Sequence, residues 1–94
     1  MRPYELMLLI DPSLEEPREE VSRVEEVVRG LGGEITKTDV WGRKKLAYPI
    51  LKQTEGFYSV TKMSMEQTAL KELDRLLKLR QDVWRHMIIR LDEE

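Results

Sequence analysis

Two segments with helical apolar periodicity, each flanked by strand-forming sequence, restrict the fold of this chain more than any other feature. In the first segment, valine and leucine recur three or four residues apart, at Val21, Val24, Val28 and Leu31. In the second segment the recurring residues are leucines, at Leu70, Leu73, Leu76 and Leu77. This spacing places the apolar side chains along one side of a helix, and that side is expected to be buried.

Four segments have the composition and alternation of β-strands. The clearest is Tyr4 to Ile10, where alternate residues are apolar and the intervening positions are not all polar, as in a central strand. The other three are Ile35 to Trp41, Phe57 to Met65 and Val83 to Leu91. Gly42 is expected to mark a bulge or bend. The polar stretch Lys52–Gly56 is expected to reverse the chain, with Gly56 as the turn glycine.

The ends of the helices carry their own signals. Ser13 and Glu16 have the spacing of a capping box, which predicts the start of the first helix. Ser64 and Gln67 have the same spacing and predict the start of the second. The pair Gly32–Gly33 is expected to stop the first helix.

The element order is therefore strand, helix, strand, strand, helix, strand. Right-handed crossovers then give an α+β, ferredoxin-like βαββαβ sandwich, in which a four-stranded antiparallel sheet carries both helices on one face. The 94 residues suffice for one such domain, spanning 1–94.

The face of the sheet without helices, called here the open face, is predicted to be partly apolar. It would carry some of six residues, Met7, Leu9, Tyr58, Val60, Met87 and Ile89. Either a partner docks there, or these are the scattered apolar side chains that any surface exposes. The pattern of the last strand leaves its register undetermined, so both explanations stay open.

The stretch Trp41–Ile50 is predicted to be a strand that binds something anionic, and it contains the most distinctive chemistry of the chain. Arg43, Lys44 and Lys45 follow one another between an aromatic–glycine step and an apolar run that ends in proline. Neighbouring cations repel one another, so the triplet requires either a well-solvated face or an anionic partner such as a phosphate backbone.

The net charge of −2 says little about the binding partner, because the charges are unevenly distributed along the chain. Residues 1–33 contain eight acidic and four basic side chains, whereas residues 35–91 contain twelve basic and six acidic ones. Local field steers an anionic ligand more than total charge does, so the basic half keeps nucleic acid among the candidate partners.

Enzymatic and membrane functions lack support in the sequence. There is one histidine, His86, and no cysteine, so imidazole pairs, disulfides and thiolate metal sites are not expected, and no cofactor is predicted. The glycines near Gly32 follow a helix, whereas a phosphate-cradling loop precedes one. The longest apolar run, Leu6–Ile10, is too short to cross a bilayer, so a cytoplasmic protein without membrane association is expected.

Base stacking of the RNA-recognition-motif type is weakly supported. That motif places a cation, a glycine and several aromatic residues on its third strand. Here Glu55 stands where the cation belongs and Ser59 where an aromatic belongs.

The chain resembles the bacterial small-subunit ribosomal protein six family over nearly its whole length. The segments that carry the resemblance are Met1–Glu5, Asp11–Leu14, Gly32–Ile35, Trp41–Ile50, Gly56–Tyr58 and Leu76–Leu79, together with Val83 and Arg85. The resemblance implies a ferredoxin-like structural component of the small ribosomal subunit. It implies binding to the central domain, or platform, of small-subunit ribosomal RNA together with ribosomal protein eighteen.

The resemblance also implies a set of contacts. The candidates for RNA phosphate contact are the cations Arg2, Arg43, Lys44, Lys45, Arg85 and Arg90. The candidates for the partner interface are Tyr4, Trp41, Tyr48, Tyr58 and Val60. A monomer is expected outside the ribosome.

Two other functions remain as alternatives. One is a homo-oligomeric ferredoxin-like ligand-binding domain or small enzyme, in which subunits pair through their sheets. The other is a free-standing regulatory RNA binder that selects short single strands.

Overall fold

The computed structural model describes residues 1–50 and 52–91. Its elements follow the predicted order: β1 (Arg2–Ile10), α1 (Pro17–Gly30), β2 (Glu34–Ile50), β3 (Gln53–Met65), α2 (Leu70–Lys78) and β4 (Val83–Arg90). A 3₁₀ turn, Gln67–Ala69, leads into α2. The strands form one antiparallel sheet in the order β2-β3-β1-β4, which confirms the ferredoxin-like arrangement.

The core lies between the sheet and the two helices. Alternate residues of β1 face the helices, and each is at most 2% exposed: Tyr4, Leu6, Leu8 and Ile10. The helices contribute Val21, Val24, Val28, Leu73 and Leu77. Burying one such aliphatic side chain stabilises the fold by about 1.5–3 kcal/mol. The apolar periodicities therefore predicted the packed sides of both helices and of β1, except that Leu76 of the predicted stripe is only half-buried and lies outside the core.

The predicted capping boxes are not formed. α1 begins at Pro17, and Glu16 precedes it without a side-chain capping hydrogen bond. Ser13 instead donates its backbone N–H and its hydroxyl to Asp11 Oδ1, at 2.9 and 2.7 Å. Ser13 bonds to this nearer carboxylate in an Asx turn, so its hydroxyl does not cap the helix. Ser64 lies within β3 and caps nothing.

The predicted glycine stop of α1 is confirmed. Gly32 adopts φ 85°, a left-handed conformation that glycine reaches without steric cost. Its N–H bonds to the carbonyl of Arg29 at 3.0 Å, and the N–H of Gly33 bonds to the carbonyl of Val28 at 2.9 Å. These two bonds form a Schellman motif, which satisfies carbonyls at the helix end.

β2 and β3 form a long hairpin, and β2 includes the predicted strand Trp41–Ile50. The two strands pair from Glu34 with Ser64 to Ile50 with Gln53, and the register shifts at the Gly42 bulge, where φ is 80°. The chain reverses between Ile50 and Gln53, at the start of the predicted segment Lys52–Gly56, but Gly56 is not the turn glycine, because it lies inside β3. A Cβ on Gly56 would collide with the side chain of Leu9, so this glycine permits close packing and forms no turn.

A buried ion pair joins α1 to the segment that follows α2. Glu20 of α1 is 1% exposed, and both its carboxylate oxygens accept hydrogen bonds from Arg80, which follows α2. The Nη2–Oε1 bond measures 3.0 Å. The hydrogen bonds with Glu20 raise the pKa of Arg80 above its ordinary value. A buried carboxylate is tolerated only with such a partner.

His86 faces the helices and is hydrogen bonded. Its Nε2 donates to Asp74 Oδ1 of α2 at 2.6 Å. This bond, with a second from Lys78, holds the pKa of Asp74 below its usual value. His86 therefore fastens β4 to α2, as expected for a packed histidine.

Neither described helix has the length and apolarity needed to cross a membrane.

Candidate nucleic-acid interface

The cationic triplet lies on β2, an edge strand, just after the bulge. Lys44 pairs with Gly56 and Lys45 pairs with Glu55 across the hairpin, and both lysines are exposed. Within residues 1–50 and 52–91, neither lysine forms an ion pair. Arg43 is different, because its Nη2 donates to the carbonyl of Pro12 at 2.9 Å. The triplet therefore presents two free ammonium groups and one guanidinium anchored beside the loop before α1.

A groove lies beside these lysines, and we call it the bulge groove. Its lining consists of Trp41, Lys44, Lys45 and Tyr58, and its volume is about 530 Å³. Trp41 is 51% exposed. Val40 packs against the core, so alternation along β2 places Trp41 on the other side of the sheet, the same side as Tyr58, and both residues line the groove. Two aromatic rings and two cations are thereby brought into one concave surface.

Arg85 approaches the end of the β2–β3 hairpin from the opposite edge of the sheet. Its Nη1 donates to the hydroxyl of Tyr48 at 3.1 Å, and its Cζ lies 5.7 Å from the centre of the Tyr48 ring. β2 and β4 are the two edge strands, so the hairpin must fold over the open face for this contact to form. A phenol is neutral, so Arg85 keeps its charge while its position is fixed.

Arg2 and Arg90 lie at the other end of the sheet. Arg2 pairs with Met65 in β3, nine positions from Gly56, which pairs with Lys44. At 3.3 Å per residue this separation is about 30 Å. Arg90 is opposite Tyr4 and lines a groove of about 450 Å³ with Lys71, which sequence analysis did not single out.

The six predicted phosphate contacts therefore form two groups rather than one continuous patch. Arg43, Lys44, Lys45 and Arg85 surround the hairpin, and Arg2 with Arg90 marks the far end. An RNA that touched both groups would have to extend along the length of the sheet.

The open face carries the six predicted apolar residues. The register places Met7 opposite both Val60 and Met87, and Leu9 opposite Tyr58, all on one side of the sheet. Met87 is 55% and Ile89 is 40% exposed, whereas Leu9 and Val60 are buried by their neighbours. A groove of about 220 Å³ runs between Met7, Tyr58, Arg85 and Met87. The face is therefore apolar in its middle and open toward β4.

The predicted interface residues separate into surface and core. Tyr48 is 58% exposed, Trp41 is also on the surface, and Tyr58 is half-buried between the two grooves. Val60 forms part of the floor of the open face. The expectation that Tyr4 contacts the partner is corrected by its burial. The alternation of β1 turns Tyr4 toward the helices, where it is 2% exposed, so it offers no interface surface in the isolated chain.

The site has no metal-binding geometry in the part of the chain that the structure describes, where no group of three acidic, histidine or cysteine side chains converges. Its chemistry is instead that of an exposed cationic edge beside aromatic and apolar surface. The Tyr48–Arg85 contact carries no signal in the sequence, because it joins strands that are distant in both sequence and sheet order.

Comparison with known proteins identifies close relatives. The sequence profile described as Ribosomal protein S6 matches residues 3–90. The small ribosomal subunit protein bS6 of Dictyoglomus turgidum is 44% identical, over 100% of this chain and 99% of that protein. The protein of the same name from Micrococcus luteus is 46% identical, over 100% of this chain and 95% of its own length.

The structural comparison gives the same result. The crystal structure of 30S ribosomal protein S6 from Thermotoga maritima matches with a TM-score of 0.87 and 31% sequence identity. The match covers 96% of this chain and 87% of that one.

Proposed function

This chain belongs to the ribosomal protein S6 family, and we propose that it binds small-subunit ribosomal RNA jointly with ribosomal protein eighteen. As a member of that family it is a protein of the small ribosomal subunit, located on the cytoplasmic ribosome, with a structural rather than an enzymatic role. The proposed role is to hold an RNA junction of the central domain in the assembled platform.

The observation that carries the proposal is the contrast between the two sides of the hairpin. On its outer edge Lys44 and Lys45 are exposed and unpaired within the described residues, which favours an anionic polymer. On its inner side the open face exposes Met87 and Ile89, which favours an apolar protein surface. Tyr58 borders both grooves, so the two partners would meet along it.

In this proposal the partner protein covers the open face. Its contacts would be Tyr48, Tyr58 and the exposed part of the floor around Val60, with Trp41 at the border between protein and RNA. Docking there would also hold Tyr48 in place and, through the Tyr48–Arg85 hydrogen bond, the guanidinium of Arg85. That guanidinium would then be positioned to bind a phosphate at the edge of the open face.

The RNA contacts assigned to this chain are Arg2, Arg43, Lys44, Lys45, Arg85 and Arg90. Each cation that neutralises a phosphate of a duplex adds about 0.9 to the magnitude of the slope of log affinity against log salt. Six contacts would therefore give a slope near −5, which describes a modest binder. Joint binding raises the effective concentration of each component at the RNA and compensates for that weakness.

The test compares RNA affinity with and without ribosomal protein eighteen. We expect the partner to strengthen binding to a central-domain junction, and equal affinities would contradict joint binding. Replacing Arg43, Lys44 and Lys45 together by glutamine should lower the magnitude of the salt slope by up to about 2.7 and reduce incorporation into small subunits. The control neutralises Arg29, Arg75 and Lys78, which lie on the helical side.

The homo-oligomeric alternative predicts a different result. If the open face paired with a second copy, sedimentation would show a dimer at low concentration, with Met87 and Ile89 buried between subunits. The proposal expects a monomer until the partner protein is added.

A further inference from the structure

The bulge groove combines two kinds of ligand-binding group that seldom occur together without a reason. Trp41 and Tyr58 provide flat aromatic surface, and Lys44 and Lys45 line the same groove of about 530 Å³. Trp41 is half-exposed although tryptophan is a side chain that folded proteins usually bury to a large extent. A ligand that satisfied the whole lining would be flat, aromatic and anionic.

We propose that the bulge groove holds one unpaired RNA nucleotide, with its base stacked on Trp41 and its phosphates beside Lys44 and Lys45. The proposal rests on the proposed function and specifies the RNA element that this edge of the sheet recognises. Aromatic platforms beside a cationic track bind single strands, because every base has a face to stack and every nucleotide carries a phosphate. Paired bases in a helix are already stacked on their neighbours and cannot enter such a groove.

The charges around the groove favour RNA over a protein side chain. Glu55 is opposite Lys45 in the register, but the two form no ion pair, so neither ammonium is neutralised within residues 1–50 and 52–91. An apolar side chain from a protein would fill the space between the rings and leave two cations partly desolvated without partners, which is unfavourable. A nucleotide supplies both the ring and the counter-charge.

The geometry also explains why the third strand lacks the stacking signature of RNA recognition motifs. In that motif the aromatic residues lie together on the central strands. Here one aromatic comes from the edge strand β2, through the bulge at Gly42, and the other, Tyr58, comes from β3. The platform is therefore built across a hairpin, and no contiguous motif is expected in the sequence.

The experiment uses the tryptophan in the groove as its own reporter. The chain has two tryptophans, so Trp84→Phe leaves Trp41 as the sole source of indole fluorescence. This background is titrated with octauridylate, with octaadenylate and with a blunt RNA duplex of eight base pairs. We expect the single strands to quench Trp41 and the duplex to leave it unchanged. Trp84→Phe also serves as the matched tryptophan control and should bind labelled RNA like the original chain.

Two further variants separate stacking from charge. Trp41→Leu should weaken single-strand binding by about 5- to 150-fold, the cost of losing one base–aromatic stack, with an unchanged salt slope. Lys44→Gln with Lys45→Gln should instead lower the magnitude of the salt slope by about 1.4, since each phosphate of a single strand contributes about 0.7. Far-UV circular dichroism confirms that each variant is folded.

Three results would overturn the inference: no quenching by single strands, equal quenching by the duplex, or unchanged RNA affinity in Trp41→Leu. If Trp41→Leu weakened binding to ribosomal protein eighteen but left RNA affinity intact, the groove would belong to the protein partner and the inference would be wrong. Failure of the proposed function looks different, because a chain with Trp41 intact would then not bind small-subunit RNA even with the partner protein.

Discussion

Gly56 tests whether the open face is packed as tightly as the structure indicates. Positive φ angles occur at Gly32 and Gly42 among the described glycines, and Gly56 has an ordinary strand conformation. A Cβ at this position would lie well inside the van der Waals distance of Leu9 Cδ1 and 3.2 Å from Leu46 Cδ2. The glycine is therefore required by its neighbours, and backbone freedom does not explain it.

Gly56→Ala should destabilise the protein. Replacing glycine by alanine where the backbone conformation is compatible normally raises the free energy of unfolding by about 0.4–1 kcal/mol, because alanine restricts the unfolded chain. Overpacking costs about 1–3 kcal/mol, and Leu9 is itself buried and has little room to move. The expected net loss is about 1–2 kcal/mol, which for a chain of this size lowers the Tm by about 4–16 °C.

The assay is urea unfolding followed by circular dichroism, with a double-mutant cycle. Leu9→Ala alone should cost about 2–5 kcal/mol, and Gly56→Ala should add little to it, since the colliding methyl groups are gone. Gly30→Ala is the matched control, because its Cβ would meet nothing within 4 Å, and it should be neutral or stabilising. A Gly56→Ala variant at least as stable as the original chain would refute the packing argument.

Two other substitutions probe polar contacts of the fold, and a third probes the backbone conformation at the bulge. Arg80→Met should cost about 1.5–3 kcal/mol by leaving the Glu20 carboxylate without its main partner, and adding Glu20→Leu should recover much of the loss in the same urea assay. Asp74→Asn should lower stability at neutral pH. The pKa of Asp74 is held below its usual 3.8, so its contribution to the free energy of unfolding is complete above that pH and is lost as the pH falls through the lowered pKa. The variant should not show this loss of stability in acid, which thermal melts between about pH 6 and pH 2 would measure. Gly42→Ala should cost about 1–2 kcal/mol in thermal melts, because φ is 80° there and only backbone strain opposes the methyl group.

Alternation and helical periodicity predicted which faces of the elements pack. The core residues of β1, α1 and α2 are those whose spacing matched a strand or a helix, since burial of apolar surface dominates the choice of face. Leu9 and Glu20 are buried outside that pattern, by contacts on the open face and by an ion pair. The same alternation placed Tyr4 with Leu6 and Leu8. The resemblance to a family suggested instead that Tyr4 belongs to an interface, and the local pattern was the better guide to its position in this chain.

Features that depend on contacts between distant segments were not predictable. The spacing between Ser13 and Glu16 suits a capping box, but Asp11 lies only two residues from Ser13 and accepts its hydrogen bonds instead. The polar stretch around Gly56 predicts a turn, and only the position of Leu9 in another strand reveals that this glycine is needed for packing. The Tyr48–Arg85 contact likewise requires the hairpin to curve over the sheet.

The strand order has a consequence for synthesis of the protein. β1 is made first but lies between β3 and β4, so its two sheet neighbours emerge from the ribosome later. At about 5–20 residues per second, the eighty residues that separate Ile10 from Arg90 take roughly 4–16 seconds to translate. During that interval Leu6 and Leu8 lack part of their native packing, first that of β3 and last that of β4, and the nascent chain depends on solvent, on local helix formation or on a chaperone to keep its most apolar segment from associating.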